Sequence, residues 1–236
     1  MAVQNALPTL NPDSTAATPS RSDPYLGAWT MPTTNKEFGS VAEGSYFVGI
    51  TPTSGTGIIG HAAPTTFDVT KPYLLLYNSS TTKTLYPQFI TLTTTVASIG
   101  ATVVRFVPVI DAGNRYSSAG TALTINNANG ASTIATAATT AFCGAVIATT
   151  TATGKNYGDI VFRQTTINII GDVYTIVFGA PSSNGGAASI AATLSEFSRV
   201  APPLAVGPGQ SFLLHHWGAS MSTGPTFEVQ AGWIER

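Results

Sequence analysis

His61, His215 and His216 are the chain's three imidazoles, the side chains best suited to acid–base or transition-metal chemistry near neutral pH. His215 and His216 are adjacent in the sequence. Neighbouring side chains on a strand point to opposite faces, so the two cannot ligate one metal ion without a bulge. The His-x-His spacing that a β-sandwich metal site uses is missing. The expectation is one histidine of the pair packed inside a sheet and the other at a surface or interface. His61 falls in a Gly/Ala/Pro turn region, and no metal is expected.

A single cysteine, Cys143, excludes an intrachain disulfide framework and cysteine-based metal sites. It lies in an apolar stretch and reads as a small buried hydrophobe. The eleven acidic residues are dispersed. Asp172, Glu196, Glu228 and Glu235 come near strand ends, but no spacing suggests the paired carboxylates of a glycosidase. Gly-x-Ser-x-Gly and the phosphate-binding Gly-x-x-x-x-Gly-Lys-Ser/Thr are both absent. Asn184-Gly185-Gly186 reads as a turn, because no helix-opening Lys or Thr follows it. So few candidates for acid, base or nucleophile predict a protein that is not an enzyme, with no catalytic residues and no cofactor.

The cations are equally scattered: Arg21, Lys36, Lys71, Lys83, Arg105, Arg115, Lys155, Arg163, Arg199 and Arg236 stand singly. Neutralising phosphates takes clustered positive charge, so direct nucleic-acid binding is not expected. Charged residues are 9% of the chain, against a usual share of about 25%. The surface must therefore be covered by Thr, Ser, Ala, Asn and Gly. With a formal net charge of −1, such a surface repels itself little and tolerates close packing against neighbours. This composition suits permanent subunit contacts or a neutral exterior coat. No run of 18 apolar residues predicts a membrane span, and no basic-then-apolar start predicts an export signal. A chain made in a host cytoplasm that leaves inside a particle would combine these properties.

The elements that must position these residues are strands. Residues 1–35 carry prolines, Ser and Thr with scattered apolar side chains and neither the 3.6 nor the 2.0 period. They read as an extended arm that orders only against a surface able to offset its entropy. Leu7, Leu10, Tyr25, Leu26 and Trp29 are the candidate assembly-interface residues on it, anchoring to a neighbouring subunit or closing over the chain's own sandwich. Residues 36–236 read as one β-sandwich domain. Strands are predicted at 45–50, 73–78, 85–96, 102–109, 121–125, 141–150, 160–170, 173–178, 211–217 and 226–234, rich in Val, Ile, Thr, Tyr and Phe and separated by Gly, Pro, Asn and Ser. In the last, Phe227, Val229, Ala231 and Trp233 share one face and Glu228 and Gln230 the other.

Helical signals are almost absent: the Ala-rich run 187–197 could form about two turns, and for 132–145, also Ala-rich, its Thr content and lack of caps make loop or strand an equal alternative to helix. Glycine-bearing turns precede Tyr46, Val173 and Ser211, as double-sheet jelly rolls use them. The fold class is therefore all-β: a jelly-roll-like antiparallel sandwich of about 8–10 strands with an N-terminal arm.

Three stretches carry a resemblance. They are Pro202 to Trp217 with its Gly207-Pro208-Gly209-Gln210 turn, the closing run Phe227 to Arg236, and Asp111 to Leu123. Together they resemble small jelly-roll structural proteins of tailed phages, over about a third of the chain. The resemblance implies a virion component: a capsid decoration or cement protein, expected as a homotrimer on a viral shell protein. A jelly-roll shell protein is the alternative, and a glycan- or host-binding module using Tyr73, Tyr77 or Trp217 is the alternative of another class. The long spine helix of tailed-phage shell proteins has no counterpart here, which favours decoration.

Overall fold

The computed structural model describes residues 36–100, 104–131, 137–148, 154–163, 168–179 and 196–236. The chain divides into two units, Met1–Gly39 and Ser40–Arg236, and the sandwich lies in the second. The arm at 1–35, with Leu7, Leu10, Tyr25, Leu26 and Trp29, lies outside the described residues.

A short helix, α1 (Lys36–Ala42), is followed by β1 (Tyr46–Ile50), β2 (Ile58–Ile59), β3 (Leu74–Asn78), β4 (Leu85–Val96), β5 (Val104–Asp111), β6 (Tyr116–Ser118), β7 (Thr121–Ala122) and β8 (Thr124–Asn127). Then come β9 (Thr139–Cys143), β10 (Val146–Ile147), β11 (Lys155–Asn156), β12 (Ile160–Arg163), β13 (Val173–Phe178), β14 (Glu196–Ala201), β15 (Ser211–Trp217) and β16 (Thr226–Glu235).

The first sheet runs β14-β13-β4-β16-β1-β8, with β2 beside one end of β16; the second runs β11-β5-β15-β3-β9-β7, with β12 also on β5. Within them the rows β1-β16-β4-β13 and β3-β15-β5-β12 form the two faces of a jelly roll. Successive strands of this set cross between the sheets, except β5 and β12, which pair within one. The remaining short strands decorate this frame, β6 and β10 forming a separate two-stranded ribbon. Among the described residues all strand pairings are antiparallel but one: β13 and β14 run parallel.

The alternation in the sequence explains the core. On β4, Ile90, Leu92 and Thr94 are buried while Thr91, Thr93 and Thr95 are half-buried. On β16, Phe227, Val229, Ala231 and Trp233 point inward, as their spacing predicts. Where the sheets face each other, rings meet edge to face: Phe106 on Phe162 at 5.7 Å between centroids, and Phe162 on Tyr174 at 5.3 Å.

A second apolar cluster sits on the opposite face of the second sheet, formed by Leu75, Val107, Val109, Ala145, Ile147 and Leu213. That is why β3 (LLLYN) and β15 (SFLLHHW) lack a polar face: both of their faces are covered. The three glycine turns behave as expected, with positive φ at Gly44 (72°), Gly171 (90°) and Gly209 (73°).

Several elements differ from expectation. The run at 36–42 is helical, although no helix was expected there. Glu196 and Phe197 begin a strand rather than end a helix, because parallel pairing with β13 overrides local propensity; residues 180–195 lie outside the described set. The stretch 141–150 breaks at Gly144 into β9 and β10, and 121–125 splits into β7 and β8, which join different sheets. β12 is described as far as Arg163, 164–167 lie outside the described residues, and residues 169–172 close a turn. β15 and β16, consecutive in the chain, are inner strands of different sheets.

Candidate functional site

The register of β15 creates a cavity. Its pairing with β3 ends at Leu214 opposite Leu74, whereas its pairing with β5 continues to Trp217 opposite Arg105. The edge beside His215 to Trp217 is thus left for residues 60–72 to close. These residues have no regular structure and hold on through backbone carbonyls: Ala62 accepts from Gly224 N–H (2.9 Å), Pro64 from Gly218 (2.9 Å) and Thr70 from Ile147 (2.9 Å).

Between this segment and β15 lies a cavity of about 340 Å³, lined by all three histidines with Thr66, Phe67, Asp68 and Lys71. His216 packs inside the sandwich, 4.9 Å from the Phe106 ring and 5.6 Å from Phe227. His215 faces the other way, 5.0 Å from Phe67. The expected opposition of the two is therefore present, but not the expected exposure: His215 is 2% and His216 6% exposed. The covering segment, which periodicity on β15 cannot reveal, is what buries His215. It also brings in His61, whose place at the cavity no sequence spacing indicated.

Burial governs the electrostatics. Desolvation pushes His215 down to about 4 and His216 down to about 3, and it lowers His61 as well. Carbonyls of Asp68 and Lys71 beside His215 favour its charged form but do not outweigh burial. All three imidazoles are thus neutral at pH 7. His61 Nε2, His215 Nδ1 and His216 Nε2 are buried without a hydrogen-bond partner. Asp68 is occupied elsewhere, accepting from Thr70 N–H (2.9 Å) and Thr70 Oγ1 (2.6 Å) and pairing with Lys71 Nζ at 3.6 Å. Among the described residues no group of three or more His, Cys, Asp or Glu is arranged to hold a metal ion.

The outer face of the first sheet has a different character. Thr91, Thr93 and Thr95 of β4 stand beside Thr175 of β13 and Thr226, Glu228 and Gln230 of β16. Their hydroxyls pair across strands: Thr91 with Thr175 at 3.4 Å and Thr95 with Thr226 at 2.7 Å. A shallow cleft of about 350 Å³ opens there, bordered by Ile50, Thr51, Pro52, Thr93, Glu228 and Gln230. Glu228 accepts from Gly55 N–H at 3.0 Å. Across β13, β4, β16, β1 and β8 it is the one formally charged side chain on this outer face.

The other polar groups singled out in the sequence hold the fold. Glu235 is buried and accepts from Ala138 N–H, Thr139 N–H, Thr139 Oγ1 and Trp233 Nε1 at 2.7–3.1 Å. Asp172 accepts from Ile169 N–H and the Tyr174 hydroxyl. Arg115 clamps buried Asp111, with Nε at 2.6 Å. Cys143 is fully buried, and burial pushes its thiol far up. Tyr73, a candidate sugar platform, fills the core, where its hydroxyl donates to the Ile58 carbonyl at 3.1 Å. Tyr77 packs on the second cluster, and the Arg105 guanidinium covers the Trp217 ring at 5.1 Å. No family model, curated protein or solved structure matches the chain.

Proposed function

We propose that this chain is a structural protein of a virus particle, one that decorates the capsid and cements neighbouring subunits. The observation that carries the reading is a jelly roll covered by a surface almost free of charge. Its two four-strand rows are complete, yet across β13, β4, β16, β1 and β8 the outer face of the first sheet presents Thr, Val, Asn and Gln with Glu228 as its one formal charge. A surface of this kind gains little from solvation of charges and can pack closely without repulsion. The resemblance of the stretches 202–217 and 227–236 to small tailed-phage structural proteins supports the same reading.

The partners are copies of the same chain, expected as a trimer, and a viral shell protein. Four of the ten cations, Lys71, Arg105, Arg115 and Arg236, are already paired with carboxylates, which argues against a role on nucleic acid. No described helix is long and apolar enough to cross a membrane.

Cryo-EM and protein quantification of purified particles test the reading. The expected result is stoichiometric copy number, with jelly-roll density seated on a shell built from another chain. A continuous shell of this chain alone would replace decoration by the shell role. Absence from particles would end both.

A further inference from the structure

We propose that residues 60–72 form an acid-released strap over the open edge of β15, with His61, His215 and His216 as its sensor. The proposal concerns the isolated chain and stands whether or not the protein belongs to a particle.

The geometry has three parts. First, the strap lacks strand pairing of its own and is held by a few carbonyls, those of Ala62, Pro64 and Thr70, that accept from Gly224, Gly218 and Ile147. Such a segment opens locally at lower cost than the sheets beneath it. Second, every imidazole of the chain lies at the seam between strap and sheet, His61 on the strap and the others on β15. Third, each presents a buried nitrogen without a partner. Protonation places charge on these rings at the cavity, and for buried His215 and His216 opening the strap is what gives that charge water.

What lies nearby does not offset burial: the carbonyls of Asp68 and Lys71 favour a charged His215, and those of Pro72 and Lys71 a charged His61, but desolvation outweighs them. From the strap, Asp68 and Lys71 face the rings, and Asp68 is committed to Thr70 and Lys71. Lys71 adds a like charge beside His61. From the start of β3 the Tyr73 ring meets His216 at 6.4 Å, its hydroxyl donating to the Ile58 carbonyl. From β5, Arg105 lies over Trp217 and pairs with Asp159 at 3.2 Å. β16 contributes the apolar ring of Phe227. The cluster therefore collects positive charge as the pH falls, with one carboxylate, Asp68, beside it.

The sign follows from linkage. His215 is held near 4 when closed and returns towards about 6.5 once hydrated in the open state, so acid favours opening between those values. At pH 5.5 that ring alone shifts the equilibrium about tenfold towards open, and about a hundredfold at pH 4. Above about pH 7 the strap is closed.

Hydrogen–deuterium exchange of the full chain at pH 7.5, 5.5 and 4.0, corrected for intrinsic rates, tests this. The expected result is protected Gly218, Gly224 and Ile147 amides at pH 7.5. They lose at least tenfold protection by pH 4.0, while β4 and β16 amides keep theirs. The double variant His61→Gln/His215→Gln should reduce that pH dependence at least tenfold. If the variant fails to fold, NMR titration of the three wild-type imidazoles replaces it, with midpoints below pH 6 tracking the loss of protection. The proposal is overturned if strap-bound amides exchange alike at pH 7.5 and 4.0. It also fails if β16 opens together with the strap, if the double variant keeps the full wild-type dependence, or if the imidazoles titrate near 6.5 without any change in protection.

Discussion

Buried polar side chains decide the stability of individual sites in this protein. His215 and His216 carry folded-state values of about 4 and about 3, below the 6.5 of a hydrated imidazole. Between pH 6.5 and those values the unfolded chain binds more protons than the folded one, so stability falls as acid is added and is fully present above about pH 7. The expected loss is on the order of 3 kcal/mol per histidine by pH 4, read as a falling urea midpoint; a midpoint flat from pH 7 to 4 would contradict it. Glu235 is the second such site, since four donors converge on one buried carboxylate. Glu235→Gln presents an amide N–H₂ to groups that are themselves donors, and is expected to cost about 3 kcal/mol in urea unfolding. A loss below about 0.5 kcal/mol would mean that the donors find other acceptors.

Elements here are set by alternation and by the turns that separate them. β4, β13 and β15 begin and end where the apolar period places them, because each is bounded by turn residues and carries a coherent inward set. Gly144 and Gly209 both take positive φ, yet for different surroundings. A Cβ at Gly209 would meet nothing within 4 Å, whereas at Gly144 it would stand 2.8 Å from the Ile59 carbonyl oxygen. Gly209→Ala should thus cost only the backbone term of about 1 kcal/mol, and Gly144→Ala clearly more, as two thermal-melt series would show. Equal costs would mean that the β9–β10 break does not depend on that close approach. β14 shows the limit of local reading, since it is set by parallel pairing with the preceding strand β13 and no period announces that pairing.

At the scale of the molecule, low charge has a consequence in solution. Self-association of nearly neutral surfaces should change little with ionic strength, because there are few charge pairs to screen. Light scattering of the purified chain between 50 and 500 mM salt, roughly one to several multiples of the screening range, should report one oligomeric state. A dissociation constant that moves more than about tenfold over that range would point instead to contacts through Lys and Arg.

What the sequence determined by itself is the class: strands with one apolar face, glycine turns between them, and a chain with only 9% charged residues, too few to cover it with ions. Period and composition are local, and these properties are local too. Tertiary structure decided which sheet each strand joined, and that β15 and β16 part to become inner strands of two sheets. It also decided that the outer side of β15 is covered. An apolar run says that a face is buried, not what lies on it. His215 and His216 were therefore legible as a pair on opposite faces, while the strap that brings His61 to them from across the chain was not.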